Sequence, residues 1–195
     1  MTGSLSTLRC EEITYDSRCE AASALVLDTA GIVARMGSQA GPYHWFENGV
    51  RHEHYFDLVY QRFDGVMVFV AVRPRASSQY ERLRSIVRLV RAHDPRLRDC
   101  EIQMLDRRHC PPWRVQRALV IRSAWDEADR AADRAFLEAL RGRRGAMRID
   151  EAAHAAGIDA EPTLCAGRLL MLGHLELEPE TLLVDGTLVR AANRR

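Results

Sequence analysis

Lysine is absent from this chain: all 28 basic side chains are arginine. That removes Schiff-base lysines, P-loop lysines and the lysines of metal-dependent nucleases from the available chemistry. It also fits the codon bias of a GC-rich bacterial genome. Cysteine is sparse, and the five present, Cys10, Cys19, Cys100, Cys110 and Cys165, form no C-x-x-C pair. They read as reduced and structural rather than zinc-binding or redox-active. No apolar run approaches the length of a membrane span, and the start Met1-Thr2-Gly3-Ser4 lacks a basic region followed by an apolar stretch. A cytoplasmic protein with no membrane partner is therefore expected. An excess of one charge is missing too, since 28 basic against 27 acidic residues leave +1. Contact with nucleic acid must then come from a local patch rather than bulk charge.

What is present suffices for a packed core. With 195 residues and 47% hydrophobic content, the chain accommodates one large domain, or a domain of about 120 residues with a small appendix. Ser17 followed three places later by Glu20 matches a capping box, predicting a helix through residues 20–27 that Gly31 ends. Residues 37–49 are rich in breakers. Residues 51–63 read as a long strand, Asp64-Gly65 as a tight turn, and 66–72 as a buried strand ended by Pro74. Ser77 or Ser78 begins another helix with Tyr80, Leu83, Val87 and Val90 at helical spacing. Further elements follow at 100–105 and 113–121, and the order predicts an α/β fold with a three-layer core within residues 1–122. Composition changes near Ser123. Residues 124–140, 149–156 and 161–172 read as helices and 182–189 as a compact hairpin, which predicts a winged helix in residues 123–195.

Strand alternation places Glu53, Tyr55 and Asp57 on one face and His52, His54, Phe56 and Leu58 on the other. Folding at Asp64-Gly65 brings Asp57 level with residues 71–73, so Glu20, Asp57, Ala71 and Arg73 form one candidate cluster. In metal-dependent phosphodiesterases, carboxylates so placed hold a divalent cation while a lysine positions the attacking water. Structural explanations exist beside this one: the capping box for Glu20, and a salt bridge to Arg73 for Asp57. His52 and His54, with His44 nearby, lack a third ligand at metal-site spacing, so no metal site is expected there. No G-x-S-x-G elbow, P-loop or dinucleotide fingerprint occurs.

The order Glu20, a glycine-rich approach, Tyr55-Phe56-Asp57, the turn at Asp64-Gly65 and Val70-Ala71-Val72-Arg73-Pro74 resembles TnsA-type transposon endonucleases. The resemblance covers residues 10–122 and implies a restriction-endonuclease-like fold followed by a C-terminal winged helix. It further implies acidic ligands at Glu20 and Asp57, Glu or Gln at position 71, and Lys at position 73. Here Ala71 offers no ligand atom and Arg73 lacks a compact ammonium group. The implied catalytic set Glu20, Asp57 and Arg73 is thus a degenerate one without a cofactor. Mg²⁺ enters only if both carboxylates still hold it and Arg73 substitutes for lysine.

Arg84, Arg88 and Arg91 share a helix face within an arginine-rich stretch running from Arg73 to Arg122, and predict contact with the phosphates of duplex DNA. In the C-terminal region Arg168 is the only basic residue of the helix at 161–172, where a winged helix would read bases, and Glu161 at its start repels phosphate. Arg143, Arg144, Arg190, Arg194 and Arg195 add auxiliary contacts. That module is therefore expected to dock a protein partner, a transposase or recombinase. The expected function is DNA binding without cleavage, in recombination, transposition or its regulation. An active Mg²⁺-dependent endonuclease and a structural interaction module of a phage or mobile element are the alternatives.

Overall fold

The computed structural model describes residues 2–143 and 145–192. The chain is mixed α/β and divides into two compact units, residues 1–28 with 32–111, and residues 29–31 with 112–195. Packing therefore changes at Pro111-Pro112, ahead of the composition change near Ser123.

The first unit begins with a small antiparallel pair, β1 (Gly3–Ser6) and β2 (Glu12–Tyr15). Helix α1 (Arg18–Asp28) follows, then β3 (Val33–Glu47), β4 (Val50–Arg62) and β5 (Met67–Val72). Helix α2 (Tyr80–His93) crosses over to β6 (Glu101–Leu105), and the four strands form one sheet in the order β3-β4-β5-β6. The first three are antiparallel, while β6 runs parallel to β5. Strand β5, Met-Val-Phe-Val-Ala-Val, is the continuous apolar run expected of a strand covered on both faces. Its residues from Val68 to Val72 are all buried. On one face Leu58, Tyr60, Val68, Val70 and Val72 pack with Ala24 and Leu27 of α1; on the other Phe56, Phe69 and Ala71 pack with Leu83 and Val90 of α2.

Two local readings change. Residues 37–49 are largely strand, because Asn48 (φ 53°) and Gly49 (φ 78°) make the hairpin turn that Asn-Gly favours. Gln39 (φ 52°) and a register shift between Ala40 and Tyr43 absorb the breakers. Simple alternation along β4 also fails. Leu58 faces the α1 side and Phe56 the α2 side, although the two are an even number of residues apart. The switch falls at Asp57, and β3 switches with it between Met36 and Ala40.

In the second unit the element expected at 113–121 is α3 (Pro112–Trp125), which runs on through Trp125, and the helix expected over 124–140 begins later, as α4 (Arg130–Arg141). Asp129 sets that start by capping α4, its carboxylate accepting from Ala131 N and Ala132 N at 3.0 Å. Strand β7 (Met147–Arg148), helices α5 (Ile149–Ala155) and α6 (Pro162–Met171), and strands β8 (Leu175–Leu177) and β9 (Leu188–Ala191) follow. The sheet order is β7-β9-β8, antiparallel throughout. The hairpin expected over 182–189 is in fact β8 with β9, joined by a long excursion that turns where Thr187 N donates to Val184 O. Phe136, Leu140, Ile149, Ala152, Leu169, Leu183 and Val189 lie in its core.

Helix α3 belongs to this unit by specific contacts. Gln116 Nε2 donates to Leu183 O and Gln116 Oε1 accepts from Leu183 N. Arg117 donates to Thr181 O, Thr181 Oγ1 and Glu178 O. Gly167 of α6 packs against α3, where even a Cβ would make only ordinary contact with Ala124 Cβ and Ile121 Cα at 3.5 Å. A fragment of residues 112–195 should therefore unfold cooperatively, and one of 123–195 should lose at least about 3 kcal/mol, at about 1 kcal/mol per hydrogen bond. That amounts to about 15 °C in Tm for a unit of this size. Thermal circular dichroism of both fragments checks this, and equal Tm values would show α3 to be dispensable.

Candidate functional site

The fold brings Glu20, Asp57 and Arg73 to one end of the four-stranded sheet, but each is engaged in its own way. Ser17 caps α1: its Oγ accepts from Glu20 N (3.1 Å) and donates to Glu20 Oε1 (2.8 Å), while Glu20 Oε2 accepts from Asp16 N (2.8 Å). This is a reciprocal capping box, so both carboxylate oxygens of the buried Glu20 are occupied.

Asp57 lies where the β4–β5 ladder stops. The last paired residues are Leu58 and Val70. Beyond them Val72 N donates to Asp57 Oδ2 at 2.6 Å, the side chain taking the place of a strand carbonyl. Burial pushes the Asp57 carboxyl up to about 6, with Val72 N–H opposing the rise and the Glu20 charge adding to it.

Arg73 does not form the expected salt bridge with Asp57. Among the described residues no ion pair or hydrogen bond joins them; Asp57 Oδ2 accepts from the Val72 amide. Arg73 Nε is buried and unpartnered. So is Nε2 of His54, whose ring stands edge-on to Phe56. Burial holds His54 down to about 4, with the Arg73 charge acting in the same direction, so it is neutral at ordinary pH. Strand alternation places His54 on the face opposite Asp57, with Phe56, and there it meets Arg73.

Ala71 is fully buried and contributes only a methyl group. Among the described residues no group of three or more His, Cys, Asp or Glu side chains is placed to hold a metal ion. The site can accept hydrogen bonds at Asp57 and donate them from Arg73. It lacks the ring of oxygen ligands that Mg²⁺ chemistry uses.

Further arginines surround this edge. Arg73 N donates to Leu105 O (2.9 Å), so the segment leaving β5 runs beside the end of β6. Arg75, Arg107 and Arg108 are exposed there, the last two on a loop where Asp106 Oδ1 accepts from Arg108 N. On α2, Leu83 and Val90 seat the helix while Arg84, Arg88 and Arg91 are all exposed. Arg84 lies 3.9 Å from Glu81 and Arg88 reaches Ser85 Oγ, both weak local contacts.

Arg168 is a correction. Its side chain is only 8% exposed and faces inward. Its guanidinium pairs with Asp133 of α4 (Nη2–Oδ1 2.8 Å, Nε–Oδ1 2.9 Å), and Nη1 donates to Ala124 O and Glu127 O at the end of α3. The arginine satisfies carbonyls that the end of α3 leaves without helical partners. Five consecutive residues of α6, Cys165 to Leu169, are buried, so the middle of that helix has no face to offer a base. Of the auxiliary arginines, Arg143 and Arg190 are exposed, and Arg190 pairs with Glu176. Arg144, Arg194 and Arg195 lie outside the described residues.

No protein-family model matches this chain, and no curated protein matches it. Among the described residues no helix is long and apolar enough to cross a membrane.

Two outcomes follow from these environments. Replacing Arg168 with Ala strands Asp133 and the α3 carbonyls, which should cost about 3–5 kcal/mol of stability. Denaturant unfolding of the variant beside the parent measures the loss. Asp57 has a folded pKa above its ordinary value of 3.8, so burial opposes folding only once the carboxyl ionises. The penalty is absent below about pH 4, develops as pH rises, and is complete above about pH 6. Asp57→Asn keeps an acceptor for Val72 and should therefore raise stability by about 1–3 kcal/mol at pH 7.5 but not at pH 4. A gain independent of pH would contradict the assignment.

Proposed function

We propose that the chain is a DNA-binding protein resembling TnsA-type endonucleases, in which a restriction-endonuclease-like unit holds duplex DNA without cutting it. The observation that carries this reading is the α2 surface: Arg84, Arg88 and Arg91 stand exposed on a helix whose opposite face is anchored in the core. Arg75, Arg107 and Arg108 extend the positive surface at the edge beside Arg73. Arginine forks in such a row suit the spaced oxygens of a phosphate backbone.

The inactive reading rests on chemistry at the sheet end. Glu20 is spent on its helix cap, Asp57 on a strand amide, and position 71 has no ligand atom. Magnesium, if bound, would rely on Glu20 and Asp57, and both would have to leave existing hydrogen bonds.

The second unit has the element order of a winged helix: three helices α4, α5 and α6, with β7 between the first two and β8–β9 after the third. Its reading helix is buried and its one arginine internal. Between Asp150 and Val189 the exposed formal charges are acidic, since Arg168 is the only basic residue there apart from histidine. This favours a protein partner, a transposase or recombinase, over DNA for the surface formed by that stretch, because acidic residues repel phosphate.

The full chain should bind duplex DNA of any sequence with strong salt dependence and give no cleavage with Mg²⁺ or Mn²⁺. Replacing Arg84, Arg88 and Arg91 with Gln should lower the slope of log affinity against log salt by about two to three. Fluorescence anisotropy and a nicking assay make the test. Cleavage abolished by Asp57→Ala would establish the enzyme instead, and absence of any salt-sensitive affinity would leave a protein-interaction module.

A further inference from the structure

The ends of β3 and β4 reach beyond the rest of the sheet. β5 stops pairing at Leu58, so residues 50–57 of β4 pair with β3 alone and form a two-stranded arm. Its underside is anchored. Tyr43 and Trp45 are buried, Trp45 stacks on His52 with ring centroids 5.1 Å apart, and Tyr43 meets Phe56 and Phe69 edge-on. Arg82 of α2 grips Glu47 near the tip through both guanidinium nitrogens. Arg96, just beyond α2, lies 4.5 Å over the Tyr43 ring and donates to Pro42 O. The arm is therefore held along the length of α2, with the start of that helix nearest the tip.

At the tip, the positions flanking the Asn48-Gly49 turn are apolar and exposed: Phe46 is 57% and Val50 56% accessible. Their register separates them. Phe46 pairs with Arg51 and Val50 with Glu47, so they occupy opposite faces of the ribbon. A patch for a flat protein partner would place its apolar residues on one face, whereas an apolar tip exposed on both faces suits insertion between two surfaces. The charge around the tip is mixed but mainly basic, with Glu47 paired to Arg82, Glu81 close to Arg84 and Glu53 opposite His44. Arg51 is exposed beside Phe46, and Arg84, Arg88 and Arg91 continue along the helix that carries the arm.

We propose that the tip, through Phe46 and Val50, is a wedge that enters a groove of duplex DNA and unstacks a base step. A two-stranded ribbon fits the width of a DNA groove, and apolar side chains entering between base pairs kink the duplex so that it meets more of the protein. The inference rests on the DNA-binding reading and adds a defined distortion of the DNA to it.

The full chain is titrated into duplexes carrying 2-aminopurine at successive positions, with anisotropy reporting binding and 2-aminopurine fluorescence reporting unstacking. Saturating protein should raise the fluorescence at one or two adjacent positions. Phe46→Ser with Val50→Ser should abolish the rise, weaken binding by no more than about tenfold, and leave the salt slope unchanged. Both residues are exposed, so circular dichroism of this variant should match the parent. The Arg84, Arg88 and Arg91 to Gln variant should lose salt slope yet retain the fluorescence rise at saturation. Saturated binding without unstacking at any position, or unstacking that persists in the double variant, would overturn the wedge and leave DNA binding intact. Self-association in sedimentation velocity that the double variant abolishes, again without unstacking, would assign the tip to protein contact and overturn the wedge. No binding to any duplex at low salt would overturn both readings.

Discussion

One hydrogen bond, from Val72 N to the Asp57 carboxylate, closes the first unit's sheet where the β4–β5 ladder ends. At this point β4 leaves β5, and a side chain rather than a backbone carbonyl satisfies the strand amide. An unpaired amide at a buried position would be costly. The carboxylate meets that need, and the chain beyond Leu58 is then free to change face and continue as the arm. Phe56, His54 and Trp45 consequently pack toward α2, while Leu58 and Tyr60 pack toward α1. The same bond fixes the chemistry of the sheet end, because it leaves Asp57 partly buried beside Glu20 and unpaired with Arg73.

Arginine serves two different ends in this lysine-free chain. Arg168 and Arg117 work inside the second unit, where a planar fork of donors can collect several carbonyls at once. A lysine at either position would leave acceptors unsatisfied. Arg84, Arg88 and Arg91 instead hold no strong partner and face outward. An abundance of arginine therefore says little about binding until burial separates the structural residues from the free ones, and here the separation reverses the role assigned to Arg168.

Much of the fold was legible because local rules decide it. The Ser17–Glu20 capping box, the Asp64-Gly65 turn, the buried run of β5 and the glycine stops at Gly157 and Gly173 all depend on residues a few positions apart. Where expectation failed, a local signal was overlooked or outweighed. Asn48-Gly49 marks a hairpin, but the glycines and proline before it obscured β3. The helix expected over 124–140 ignored Asp129 as a cap. The boundary near Ser123 followed composition, whereas Gln116 and Arg117 tie α3 to the segment between β8 and β9.

The sequence by itself determined the α/β class, most element positions, the missing ligand at Ala71 and the density of arginine around α2, since each is a property of residue type or short-range spacing. Only the tertiary structure decided which arginines are free, that Asp57 serves an amide instead of Arg73, that His54 is half-buried near Arg73, and that Phe46 and Val50 stand at the end of an anchored arm. Those facts depend on where a ladder opens and which face a strand presents after it. Both are set by contacts between residues far apart in the chain, and a single bulge or face switch reverses what alternation predicts.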